Sequence, residues 1–128
     1  MPQESTTTPV RVLIADDHRL FAEALEAVLS IEARIEVVGR AADGEEAVAL
    51  ARRLHPDVVA LDISMPVMDG FEAAVQLELL EHPPAVLMLT GSNAPEDVER
   101  AREVGAKGYI TKDAIAASLV DAILAAAR

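Results

Sequence analysis

The sequence predicts one α/β domain, in which an open and mostly parallel sheet is covered by helices on both faces. The chain has 128 residues, the length of a domain with one core. Five short apolar runs lack polar alternation, which is typical of strands buried on both faces. Segments with helical spacing separate these runs. Strict alternation of strands and helices favours right-handed crossovers and a three-layer sandwich.

The predicted strands are short runs of Val, Ile, Leu and Ala. They span residues 10–15, 35–39, 58–61, 85–89 and 108–110. The polar, Thr-rich residues 1–9 predict a disordered lead-in, so the folded domain is expected to cover residues 10–128.

The helices are predicted from apolar residues three, four and seven positions apart. The stripes, in chain order, are Phe21, Leu25, Val28 and Leu29; Ala47, Leu50, Ala51 and Leu54; Phe71, Ala74, Val75 and Leu79; Ala94, Val98, Ala101 and Val104; and Ile115, Leu119 and Ile123.

Helix boundaries have their own signals. Asp43 followed by Glu46 resembles a capping box at a helix start. Pro56 and the pair at 83–84 predict helix ends, and Gly105 stands where a helix C-terminal glycine belongs. The last helix carries a second apolar stripe, Ala116, Val120 and Leu124, which suggests a homodimer face or a contact with a missing domain.

Composition excludes several functions. A net charge of −11 opposes direct DNA binding, and 2% aromatic residues cannot build a base-stacking surface. The absence of cysteine excludes disulfide scaffolds and thiolate chemistry. No apolar run is long enough for a membrane span, and the N-terminus lacks the features of a signal peptide. We therefore expect a cytoplasmic protein without membrane contact.

Polar residues follow four of the five predicted strands. Asp16 and Asp17 follow the first, Asp62 the third, Thr90 the fourth and Lys112 the fifth. Ligands of open α/β sheets bind beyond the carboxyl ends of the strands. With strand order 2-1-3-4-5, these side chains would converge on one edge of the sheet.

Three carboxylates at one edge repel each other unless a cation, a raised pKa or solvent relieves the repulsion. Mg²⁺ is the natural cation, because it takes carboxylate and carbonyl oxygens and retains waters. Lys112 and Thr90 add a positive charge and a hydroxyl donor, which suit phosphoryl transfer. A carboxylate can itself accept a phosphoryl group, and Asp62, at the end of the central strand, is the candidate.

These landmarks together resemble the receiver domain of bacterial two-component response regulators. They are the Asp16–Asp17 pair, Asp62 in Leu-Asp-Ile-Ser-Met-Pro, Thr90 in Leu-Met-Leu-Thr-Gly, and Lys112 in Gly-Tyr-Ile-Thr-Lys-Asp. The opening Asp-Asp-His-Arg-Leu-Phe is most similar to the NarL/FixJ subgroup.

The resemblance implies a flavodoxin-like fold and phosphorylation of Asp62 by a histidine kinase. It implies Mg²⁺ held by Asp17, Asp62 and the carbonyl of Ser64, with Asp16 acting through water. It also implies that Thr90 and Lys112 bind the phosphoryl group, and that Tyr109 switches with Thr90. NarL/FixJ receivers usually precede a DNA-binding output domain, so any transcriptional output is expected from a domain absent from this chain.

Two other functions stay open. A phosphatase or phosphotransferase with an aspartyl nucleophile would need an acid two residues after Asp62, where Ser64 stands. A pseudo-receiver would keep the fold for protein interaction without phosphotransfer, but the intact landmark residues argue against it. We therefore expect a signalling switch rather than an enzyme, with phosphorylation and dephosphorylation of its own Asp62 as its only chemistry.

Overall fold

The computed structural model describes residues 8–91 and 94–128. Strands and helices alternate as predicted: β1 (Val10–Ala15), α1 (Arg19–Ser30), β2 (Ile35–Ala41), α2 (Gly44–Leu54), β3 (Val58–Asp62), α3 (Gly70–Glu78), β4 (Ala85–Thr90), α4 (Pro95–Glu103), β5 (Gly108–Thr111) and α5 (Ile115–Ala126). A 3₁₀ turn, Lys112–Ala114, joins β5 to α5. The expected disordered lead-in falls mainly on residues 1–7, outside the described residues.

The sheet has the predicted strand order. Five parallel strands lie in the order β2-β1-β3-β4-β5. All five residues of β3, the central strand, are buried. Because β1 and β4 flank β3, the ends of these three strands bring Asp16, Asp62 and Thr90 to one edge of the sheet.

Two apolar layers cover the two faces of the sheet. Alternate residues of a strand point to opposite faces, so Leu13 packs in one layer and Val12 in the other. The first layer includes side chains from α2, α3 and α4, and the second includes side chains from α1 and α5. This arrangement confirms the three-layer sandwich. Within the described residues, no helix is long and apolar enough to span a bilayer.

The predicted core stripes are confirmed for α2 and α5. The stripes predicted for α1 and α3 are wrong at three positions. Val28, Val75 and Leu79 are exposed by 42%, 44% and 75%. In α1, the buried face consists of Ala22, Leu25 and Leu29, and Val28 lies outside it. Helix α3 ends at Glu78, and its core face continues through Leu77 instead of reaching Leu79.

Local interactions fix the helix ends. The Asp43 carboxylate accepts a hydrogen bond from the Glu46 backbone N–H at 2.8 Å, which confirms the N-cap. The Glu46 carboxylate accepts from the Ala42 N–H, one residue before the partner that a capping box predicts. Gly105 has a φ of +90° after α4, as a C-terminal glycine should.

Proline ends only one of the two helices expected. Pro56 follows α2 after the left-handed residue His55. The Arg11 guanidinium donates to the carbonyls of Leu54 and His55 at 2.7 and 2.8 Å, and so caps this helix end. Helix α3 stops at Glu78, well before the prolines at 83–84, so that prediction is wrong.

The second apolar stripe of α5 is partly used within the domain. Val120 and Leu124 are half-buried against the core layer on that side, whereas Ala116 is exposed. The apolar surface left for a partner is therefore smaller than the sequence suggests.

Gly70 allows the chain to turn back tightly after β3. A Cβ at this position would lie 2.3 Å from the carbonyl oxygen of Asp62 and 2.8 Å from Cα of Ile63. The Gly70 N–H donates to the Ile63 carbonyl at 2.7 Å, which closes the loop beside the site. This contact involves backbone, so a side chain cannot be accommodated by a rotamer change.

We predict that Gly70→Ala lowers the free energy of unfolding by about 1–3 kcal/mol, because the β3–α3 loop must shift. Urea denaturation measures the change. Gly91→Ala is the matched control, since a Cβ there meets no described residue within 4 Å, and its effect should stay within about 0.5 kcal/mol. Equal effects of the two substitutions would contradict the close approach at Gly70.

Candidate functional site

Three polar side chains are buried among the residues that the structure describes. They are Asp16, Asp62 and Thr90, exposed by 3%, 5% and 4%. Each lies at the carboxyl end of β1, β3 or β4, and each is a predicted site residue. Because burial of a carboxylate is costly without compensation, two buried aspartates at one edge call for a specific partner.

Lys112 supplies that partner. Its Nζ lies 2.9 Å from Asp16 Oδ2 and 3.5 Å from Asp62 Oδ1. The lysine begins the 3₁₀ turn after β5, and its side chain reaches across the end of the sheet with 22% exposure. One ammonium group therefore bridges the two buried carboxylates, as expected from the strand order.

The backbone holds Asp16 in place. Its N–H donates to the Ala41 carbonyl at 3.0 Å, and its Oδ1 accepts from the His18 N–H at 2.8 Å. Its buried Oδ2 accepts no well-formed hydrogen bond from the described residues, although it pairs electrostatically with Lys112. This carboxylate has unused capacity to bind a donor or a cation.

The pKa of Asp62 is raised from 3.8 to about 6, and burial is the largest cause. The Asp16 charge and, less strongly, Asp17 also raise this pKa, whereas Lys112 lowers it. The ammonium group thus offsets only part of the cost of two neighbouring carboxylates. The balance of charge favours a further cation at the site.

Asp17 and His18 extend the site toward solvent. Both are exposed, and one carboxylate oxygen each of Asp16 and Asp17 and a ring nitrogen of His18 lie within 4.8 Å of one another. Asp62 is outside this compact group of three. The oxygen donors and the buried, incompletely satisfied Asp16 carboxylate fit a hard divalent cation such as Mg²⁺.

The β3–α3 loop carries Ser64, which is exposed two residues after Asp62. Val67 has a φ of +70°, and the Met68 N–H donates to the Pro66 carbonyl at 2.7 Å. This hydrogen bond defines a γ-turn with a strained central residue. The Met68 carbonyl in turn accepts from Gly44 N–H at the start of α2, which anchors the loop over the site.

The two expected switch residues lie on adjacent strands. Thr90 ends β4 opposite Thr111, and Tyr109 in β5 lies opposite Met88. Tyr109 is half-buried and lines a cavity of about 190 Å³ with Val98 of α4. The structure therefore places Tyr109 between the sheet and the α4 surface.

Sequence reasoning missed two neighbours of the site. His18 is not among the predicted site residues, yet its ring lies beside Asp16 and Asp17. Phe21 was assigned to the core stripe of α1, yet its ring centroid is 4.3 Å from Lys112 Nζ. The sequence signal for His18 was its position directly after the acidic pair. Phe21 had no comparable signal, because its contact depends on the approach of α1 to the β5–α5 connection.

Comparison with known families decides the identity of the domain. Residues 12–124 match the family described as the response regulator receiver domain. The chain belongs to this family. Its fold, strand order and family membership thus agree with the sequence prediction.

Relatives of this receiver domain include transcriptional regulators. It is 39% identical over 119 residues to the probable transcriptional regulatory protein NarL of Mycobacterium tuberculosis, covering 93% of this chain and 55% of that protein. It is 40% identical to the transcriptional regulatory protein LiaR of Bacillus subtilis, covering 93% and 56% of the two chains. The chain spans about half the length of these relatives. It is thus a receiver domain of the NarL type, in a family of signalling proteins.

Solved structures of response regulators resemble this chain over almost its whole length. The signal receiver domain of the putative response regulator NarL from Mycobacterium tuberculosis has a TM-score of 0.89 and 38% identity, covering 94% of this chain and 97% of that one. A CheX–CheY–BeF3–Mg complex from Borrelia burgdorferi has a TM-score of 0.86 and 29% identity, with coverage of 95% and 92%.

We predict that Asp62→Asn stabilises this receiver domain at neutral pH without divalent cations, by about 1–3 kcal/mol. The folded-state pKa of Asp62 is raised to about 6, so keeping this carboxylate charged opposes folding. This cost is absent below the unfolded-state pKa, grows between about pH 4 and pH 6, and is constant above that range.

Urea unfolding in EDTA at about pH 4.5 and about pH 7.5 tests this dependence. The stability advantage of Asp62→Asn should be larger at the higher pH. The control is Asp121→Asn, which removes an exposed acid from α5. An advantage that is the same at both pH values would contradict a raised Asp62 pKa.

Proposed function

We propose that this receiver domain is a phosphorylation-dependent switch of a two-component system. Asp62 accepts a phosphoryl group from a histidine kinase, and the change in conformation controls a downstream output. The observation that carries this proposal is the bridge made by Lys112 between two buried carboxylates, Asp16 and Asp62. Membership of the response regulator family supports it.

The proposed reaction is a nucleophilic displacement at phosphorus. A carboxylate oxygen of Asp62 forms the new O–P bond while the P–N bond to the kinase histidine breaks. The electron pair of that bond leaves with the imidazole, which is then protonated from solvent. A pKa of about 6 leaves Asp62 mostly ionised at neutral pH, so the nucleophile is available without a general base.

Lys112 and Thr90 are proposed to bind the phosphoryl oxygens. Lys112 contacts both buried carboxylates and can transfer part of this pairing to a phosphoryl oxygen as charge develops there. Thr90 lies buried at the end of the adjacent strand, where its hydroxyl can donate to another oxygen. Positioning and charge stabilisation of this kind account for most of the catalysis of phosphoryl transfer.

Mg²⁺ fits the same site. Asp16, Asp17, Asp62 and the backbone carbonyl of Ser64 would hold it, with Asp16 acting through water. When bound, the ion supplies neutralisation of carboxylate and phosphoryl charge. Asp16 Oδ2, which accepts no well-formed hydrogen bond from the described residues, and the exposed Asp17 carboxylate support this assignment. Exposure of Asp17 leaves this side of the site open to water and small ions.

Thr90 and Tyr109 are proposed to carry the signal away from Asp62. Movement of Thr90 toward a phosphoryl group on Asp62 would vacate space near β5, and Tyr109 would turn inward to fill it. The cavity that Tyr109 shares with Val98 gives its ring room to change position relative to α4. Phosphorylation would thus shift a population between two states of the surface formed by α4, β5 and α5.

Besides the histidine kinase, the proposed partners are DNA, bound through a separate output domain, and a second copy of this chain. Because this chain spans about half of NarL and LiaR, DNA would be bound only through an output domain outside it. A net charge of −11 is consistent with an output separate from the receiver. The remaining apolar surface of α5, with exposed Ala116 beside half-buried Val120, is the proposed homodimer face.

We expect acetyl phosphate with Mg²⁺ to add one phosphoryl group, about 80 Da, to the native chain and none to Asp62→Asn. Intact-protein mass spectrometry measures the adduct, and beryllium fluoride should cause chemical-shift changes with the same dependence on Asp62. Asp121→Asn, far along α5, should react like the native chain. An adduct present in both the native chain and Asp62→Asn would exclude Asp62 as the acceptor.

We expect Asp17→Asn to weaken Mg²⁺ binding about tenfold or more, because it removes a charged ligand at the exposed side of the site. Chemical-shift titration with MgCl₂ measures the affinity. Asp113→Asn is a matched control, since Asp113 is an exposed acid on the 3₁₀ turn that carries Lys112. Equal losses for both variants would mean that general negative charge, and not coordination by Asp17, attracts the ion.

A further inference from the structure

Phe21 of α1 lies against the key lysine of the site. Lys112 Nζ is 4.3 Å from the centroid of the Phe21 ring, within the range of a cation–π interaction. Phe21 belongs to the first turn of α1, three residues after His18. Its ring is half-buried and packs against the core layer that α1 and α5 share.

Among the described residues, the ammonium group contacts the carboxylates of Asp16 and Asp62 and the face of the Phe21 ring. A lysine ammonium is a compact charge on a flexible stem, so two carboxylates alone allow it several positions. The ring face attracts the cation without accepting a proton or adding a formal charge. It restricts the position of the ammonium, which still contacts the oxygen atoms of Asp16 and Asp62.

We propose that Phe21 is a positioning residue for Lys112, whose ring holds the ammonium at the place where it meets the phosphoryl oxygens. This inference rests on the proposed function of Lys112. Leucine at this position would fill much of the same volume and keep the apolar contact with the core. It would lack the ring face, so the lysine would sample more positions and contact the transferred group less often.

Two roles of Phe21, packing in the core and positioning of Lys112, predict different experimental results. If Phe21 only fills space, then Phe21→Leu changes stability and leaves the lysine and the phosphorylation rate unchanged. If the ring positions Lys112, then Phe21→Tyr keeps the lysine in place and the phosphorylation rate unchanged, whereas Phe21→Leu alters both. The ring also shifts the NMR signals of any group that lies over its face, which gives a measurement independent of phosphorylation.

The first measurement is the chemical shift of the Lys112 Hε protons. In the native chain and in Phe21→Tyr, their signals should lie upfield of the Hε signals of the other lysine, Lys107. In Phe21→Leu, they should have the same chemical shift as those of Lys107. An ordinary Lys112 shift in the native chain would overturn the proposal whether or not any variant folds.

The second measurement is the rate of adduct formation with acetyl phosphate and Mg²⁺. We expect Phe21→Leu to slow adduct formation about fivefold, whereas the rate in Phe21→Tyr should stay within about twofold of the native rate. In a Lys112→Ala background, Phe21→Leu should cause no further slowing, because its effect passes through the lysine. Val28→Ala, at an exposed position of α1, is the control for changes in that helix.

The outcomes separate the two proposals. A native rate in Phe21→Leu, or an equal loss with and without Lys112, would overturn the role of Phe21 while Asp62 remains the acceptor. A native chain that forms no adduct would overturn the proposed function instead, and the Lys112 chemical shift would still decide whether the ring holds the ammonium.

Discussion

The arrangement of two buried carboxylates around one ammonium group is the constraint on which the site depends. Asp16 and Asp62 end neighbouring parallel strands, so the sheet itself forces them together. Lys112 bridges them, yet burial and the Asp16 charge still raise the Asp62 pKa to about 6. The fold thus maintains an electrostatically incomplete site, which a divalent cation and a phosphoryl group can complete.

The surroundings of this site have little freedom to adapt. Gly70 turns the chain directly against the carbonyl of Asp62, and the γ-turn at Val67 is tied to α2 through Gly44. On the other side, α1 brings Phe21 under the ammonium group of Lys112. Backbone contacts and a ring therefore hold the charged groups in position, so that little reorganisation is needed when the reacting group arrives.

Much of the fold and the site could be predicted from the sequence. Buried apolar runs indicated every strand, and the ends of four of the five strands indicated the polar residues of the site, because both signals are local in the chain. The errors at Val28, Val75 and Leu79 arose where helical spacing alone could not show how far each helix packs against the sheet. The contacts of His18 and Phe21 depend on tertiary approach, so the sequence pattern could not reveal them.

A titration of the Asp62 side-chain carbon signal by NMR, with and without Mg²⁺, tests the central claim most directly. An incomplete site predicts a midpoint near pH 6 in the metal-free protein and a lower midpoint when Mg²⁺ is present. A midpoint near the ordinary value of 3.8 that does not respond to Mg²⁺ would contradict this account of the site.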